Sequence, residues 1–177
     1  IFYDKNRVIK GIKGEVYNEL GKPIGKFSQS DFKDESAGQD FSLFEDSRVK
    51  HYLPLVNTFP YTVVYNYEIR FKQNLIIPDW VPKPAADVAV EKSSYNFICK
   101  PDEALRIKAQ KIAAAEEKVD DKQKTYTWKV NNILAVKSEP FSPLSENYQT
   151  SVKIAPQQFS YFRHNGSYSN WQELGKW

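Results

Sequence analysis

The chain has 177 residues, about one domain by the rough prior of 150 residues per domain, and enough to bury a core without metal or disulfide staples. Aromatic residues at 15% and hydrophobic residues at 41% exclude a disordered chain, and no apolar run approaches the roughly 18 residues of a membrane span. The 25 Lys and Arg against 22 Asp and Glu leave a charge of +3, too little to imply nucleic acid or an anionic membrane as partner.

The elements follow in chain order from residue periodicity. Residues 6–18 read as a strand, with Gly14 as a bulge or a site of close approach. The turn Gly21-Lys22-Pro23 then leads into a strand at 24–27, which makes a hairpin. Residues 41–52 are a further strand. The dominant signal lies at 61–71, where Tyr61, Val63, Tyr65, Tyr67, Ile69 and Phe71 alternate with mostly polar residues. A strand sends alternate side chains to opposite faces, so this segment should lay an aromatic face on a core and a polar face toward water.

Pro78, Pro82 and Pro84 cannot donate to a ladder, so 76–84 is a loop or a crossing between sheets. Strands follow at 88–100, 104–109, 124–131, 150–155 and 158–162, the third alternating Tyr126, Trp128 and Val130 against Thr125, Thr127 and Lys129. Residues 113–118 favour a helix by composition but lack an apolar stripe, and read as a charged hairpin loop. Glu139 to Pro143 makes a second stiff connection. At the end, Ser169 and Gln172 fit a capping box, while Trp171, Leu174 and Trp177 recur at helical spacing.

Many short strands punctuated by ten prolines predict an all-β fold, a large antiparallel two-sheet β-sandwich with a short C-terminal helix. The sandwich is expected over 1–168, and 169–177 as the start of a helix leading into a downstream domain. With no Met anywhere and Ile1 first, translation is expected to begin upstream, where a signal segment could have been removed.

The chemistry-bearing residues are few. The single Cys99 rules out an intrachain disulfide framework and a multi-cysteine zinc site. It lies in an apolar strand-like run, the setting of a buried inert thiol. His51 and His164 are not at metal-ligand spacing from each other or from Cys99, and no glycine loop has the pattern of a phosphate cradle. The pairs Asp34 and Glu35, Glu116 and Glu117, and Asp120 and Asp121 read as solvated loop charges. No catalytic residue, metal or cofactor is therefore expected. Trp80, held between Pro78 and Pro82, can stack on a sugar ring or a partner surface, with Tyr65 and Tyr67 completing a binding platform. The favoured reading of Trp80 is a plug for the open end of the sandwich.

Several stretches carry a family resemblance. They are FPYTVVYNYEI at 59–69, DFSLFEDSRVK at 40–50, VEKSSY at 90–95, Tyr126-Thr127-Trp128, Glu139-Pro140-Phe141-Ser142-Pro143, and GSYSNWQELGKW at 166–177. In this order, over nearly the whole chain, they resemble the bacterial domain of unknown function that precedes a transglutaminase-like core. The resemblance implies a β-sandwich in an exported protein of the periplasm or cell envelope. It also implies a following papain-fold module with Cys-His-Asp chemistry, none of whose motif is present here. The function expected is a non-catalytic accessory domain that positions or binds substrate for that downstream cysteine hydrolase or transferase. The alternative is a glycan- or peptide-binding module of the envelope, with polysaccharide or peptide as partner.

Overall fold

The computed structural model describes residues 1–37, 46–137, 140–144 and 147–177. The fold is the all-β, antiparallel β-sandwich class that the alternation predicts, with a single short helix at the C-terminus. Among the described residues its strands are joined in five small sheets of two or three strands each. The chain divides into two compact units, residues 1–72 and 73–177.

The first unit holds β1 (Phe2–Tyr3), β2 (Arg7–Tyr17), β3 (Pro23–Ser28), a 3-10 turn (Gln29–Asp31), β4 (Lys33–Ser36), β5 (Arg48–His51) and β6 (Thr62–Phe71). These form two antiparallel sheets in the orders β3-β2-β6 and β1-β5-β4. The β2–β3 hairpin turns where expected: the Asn18 side chain accepts from the backbone N–H of Leu20 and Lys22, and Gly21 takes φ 73°. That left-handed backbone is open to glycine at no steric cost. Ile12 and Val16 of β2 and Phe27 of β3 are buried.

Gly14 resolves as a close approach. The register shifts of β2 fall at Ile9/Gly11 and Val16/Tyr17, while a Cβ at Gly14 would lie 2.2 Å from Phe27 Cζ and 2.6 Å from the Val64 carbonyl oxygen. Gly14 pairs with Phe27 on one side and Tyr65 on the other. Cross-strand partners share a face, so the missing side chain lets the Phe27 ring lie across β2.

The second unit holds β7 (Val90–Cys99), β8 (Leu105–Gln110), β9 (Glu116–Val119), β10 (Lys124–Ile133), β11 (Ser151–Pro156), β12 (Gln158–Tyr161), β13 (His164–Ser167) and α1 (Trp171–Lys176). Sheets β7-β10-β9 and β11-β8 enclose its core, built on Tyr126, Trp128, Val152 and Ile154. Trp128 is 2% exposed and Val152 1%. The strand at 158–162 pairs with β13 through a hairpin whose Phe162 and Arg163 both have positive φ.

Two local expectations are corrected. Residues 116–118, read as part of the charged loop at 113–118, lie in strand β9 on β10, where Glu117 reaches Lys124 at 3.4 Å and Glu116 reaches Lys129 at 3.1 Å across the ladder. The cap of α1 is Asn170, whose side chain accepts from the Glu173 N–H, while Ser169 donates to the Glu173 carboxylate. The Ser169–Gln172 box is thus shifted by one residue. Of the strand expected at 41–52, residues 41–45 lie outside the described residues, as does Glu139 of the second stiff connection. Residues 48–51 form β5.

Candidate functional site

The aromatic cleft of the first unit draws on both of its sheets. Phe27 comes from β3, Phe32 from the exit of the 3-10 turn, Lys50 and His51 from β5, Tyr52 and Pro54 from the stretch after it, and Val63 and Tyr65 from β6. They border a cavity of about 260 Å³, close to the lower end of the roughly 300–1,000 Å³ typical of small-ligand pockets. Tyr52 organises the wall: its ring stacks on Phe27 at 4.4 Å and lies 5.5 Å from Phe32.

Charge at this cleft is already paired. Asp34 of β4 accepts from Tyr3 Oη at 2.6 Å, from Arg48 Nε at 2.9 Å and from Lys50 Nζ at 2.9 Å. The Tyr3 hydrogen bond first, then those of Lys50 and Arg48, hold its pKa down at about 2. A carboxyl so stabilised as the anion is a poor proton donor near neutral pH. His51 Nδ1 stands 3.9 Å from Glu35. The cleft can therefore hold a ring or an apolar side chain by stacking and burial.

Tyr65 and Tyr67, two of the three binding residues expected from sequence, stand together on β6. Their rings stack at 5.9 Å with planes 16° apart, and they are 53% and 52% exposed. Tyr65 lines the cleft, and Tyr67 extends its ring surface outward. Trp80 lies in the second unit, its ring stacked on Tyr95 at 5.8 Å and packed against the core cluster. Its main chain exchanges two hydrogen bonds with Val152, at 3.0 and 2.9 Å. Phe27, Phe32 and Tyr52 are the aromatic cleft residues that sequence reasoning missed. They come from three separate elements, and no spacing connects them.

Cys99 packs on the core of the second unit, and its thiol donates to the Lys124 carbonyl at 3.7 Å. Burial, with the charge of Glu103, pushes its pKa up, the reverse of what a reactive thiol needs. The carboxylates of the sequence reading have structural employment: Glu116 and Glu117 bridge β9 to β10, and Asp120 accepts from the N–H of Lys122 and Gln123 in the β9–β10 turn. Among the described residues no group of three His, Cys, Asp or Glu could hold a metal ion, and no helix is long and apolar enough to cross a membrane.

Comparison with known proteins bears on the fold. A crystal structure from Parabacteroides distasonis, described as a "putative protease", superposes with a TM-score of 0.72 at 15% identity over 88% of this chain. The chain spans 32% of that protein's length. No curated protein matches the sequence. Residues 1–137 match the family described as a Domain of Unknown Function with solved-structure structure. With that match over most of its length, the chain belongs to the DUF3857 family.

Proposed function

We propose that the chain is a non-catalytic accessory domain that binds and positions substrate, through the cleft of residues 1–72, for a transglutaminase-like cysteine hydrolase or transferase in the same polypeptide. The observation that carries this reading is a ring-walled cleft whose Lys50 is already engaged with Asp34 and whose His51 stands beside Glu35. Such a surface recognises without reacting. The longer solved protein described as a "putative protease" supports the reading by analogy of fold. Export to the periplasm or cell envelope belongs to the same proposal.

The test is steady-state kinetics of the full-length gene product on peptide substrates. Tyr65→Ala is expected to raise KM by about tenfold with kcat unchanged, the pattern of lost uniform binding. An unchanged KM refutes the reading, as does a gene product without a cysteine hydrolase or transferase module. The half-exposed, stacked Tyr65 and Tyr67 favour a second reading, a glycan- or peptide-binding module of the cell envelope. Titration of the chain with muropeptides and with envelope oligosaccharides separates the two. Tight binding that Tyr65→Ala abolishes, beside an unchanged KM, selects the module.

A further inference from the structure

The sheet of β8 and β11 places Lys108 directly opposite Lys153. Cross-strand partners share a face at about 5 Å between Cβ atoms, and like charges there oppose folding. Arg106 stands two residues from Lys108 on the same strand, hence on the same face. Two carboxylates act on the three cations among the described residues: Asp79 lies 3.0 Å from Lys153, and Glu173 interacts electrostatically with Arg106, which leaves Lys108 without one. Arg106 is engaged with the Tyr168 carbonyl at 2.8 Å and with the Tyr168 ring. The side chain of Lys108 has no partner among the described residues.

These groups border a groove of about 370 Å³ that also exposes apolar surface from Ile76 and Ile107. β8 pairs with β11 on one side, and among the described residues no strand pairs with its other side. Lysines on edge strands often serve to repel incoming chains. That account does not reach Lys153, which lies on β11, a strand already flanked by β8 and by the Trp80 bridge. A positive face beside an open margin instead selects for what it pairs with. Strand addition supplies affinity through main-chain hydrogen bonds, and side-chain contacts at alternate positions supply specificity.

We propose that the open margin of β8 takes up an extended acidic peptide as a third strand of the β11-β8 sheet. Its carboxylates face Arg106 and Lys108, and its apolar residues, at alternate positions, cover Ile107. This site is separate from the cleft of residues 1–72 and does not depend on that cleft's function.

The experiment is a fluorescence-anisotropy titration of the chain with a labelled peptide of alternating Glu and Val. Three further probes accompany it: the same peptide with Lys for Glu, the same peptide N-methylated at alternate amides, and an oligogalacturonate of equal charge. Saturable binding of the acidic peptide alone is expected, weakened about tenfold in Lys108→Glu and less in Lys108→Ala, as loss of a charge-assisted contact requires. Absence of binding at millimolar peptide overturns the proposal, as does unchanged affinity in both Lys108 variants. Equal binding of the N-methylated peptide overturns strand addition, and equal binding of the oligogalacturonate overturns a peptide as the ligand. Lys108→Ala, at an exposed position, keeps the test valid if the charge reversal perturbs folding.

Discussion

In the second unit, Tyr126 and Trp128 alternate along β10 and disappear beneath β11, in a ladder of rings that runs on through Tyr95 to Trp80. In the first unit, Tyr65 and Tyr67 alternate along β6 with the same spacing and stand half in solvent. Both pairs occupy a single face of a strand, as period two demands. What differs is the cover. Val152 and Ile154 close over the β10 rings, whereas Gly14, directly opposite Tyr65, contributes no side chain. Alternation thus identifies which residues share a face, and a neighbouring strand decides whether that face becomes core or binding surface.

The sharpest way to break this contrast is Trp128→Ala. A fully buried large aromatic should cost about 3–5 kcal/mol on truncation, read as a lowered urea midpoint by circular dichroism. Trp128→Phe should cost less, partly because the Trp128 indole N–H is buried without an acceptor among the described residues. Equal losses in the two variants would show that packing at Trp128 is not what holds this core.

Next in size is Gly14→Ala. With 2.2 Å to the Phe27 ring, the added methyl must displace Phe27, and overpacking of this kind costs about 1–3 kcal/mol. The displaced ring should also reshape the cleft wall, so ligand binding falls with stability. Chemical shifts of the Tyr52 ring, which stacks on Phe27, report the movement.

Acid comes third. The pKa of Asp34 is depressed to about 2 in the folded chain from an ordinary value of 3.8. Its contribution to stability is therefore present above the ordinary value and is lost as pH falls from near 4 toward 2. Tyr3→Phe removes the largest lowering contact and should raise the pKa of Asp34, so acid unfolding begins at higher pH. Asp34→Asn should flatten that limb of the curve. Both are followed by circular dichroism across pH 5 to 1.5, and an unchanged acid limb would show the network to be energetically idle.

The smallest effect on stability is expected from Tyr67→Ala, within about 0.5 kcal/mol as for exposed positions generally. Thermal melts check it, and a loss above about 1 kcal/mol would mean that the Tyr65–Tyr67 stack is structural and not presented for a ligand.

Much of the fold was legible because period two survives in single residues. β2, β6, β7, β10 and β11 all fall where their alternating or β-forming residues lie. Harder to read was β13, whose hairpin turns on Phe162 and Arg163 with φ of 45° and 69°. Such two-residue turns are ordinarily signalled by Asn-Gly or Gly, and neither residue sends that signal. β9 was hidden for another reason: three of its four residues are charged, and the lysines of β10 across the ladder pair with its glutamates. At the candidate site, Tyr65 and Tyr67 could be found from one segment, but Tyr52 and Phe27 meet across 25 positions of sequence, a distance that no local pattern spans. Trp80 could be recognised as held by its prolines, while its stacking on Tyr95 depended on a strand pairing that a loop does not announce.

The reciprocal pair of main-chain bonds between Trp80 and Val152 has an effect beyond local order. It hems β11 with a passage whose flanking Pro78 and Pro82 have no N–H to offer a newcomer. A fibril grows by repeating such offers from chain to chain, so along this border the polypeptide refuses to template its own stacking.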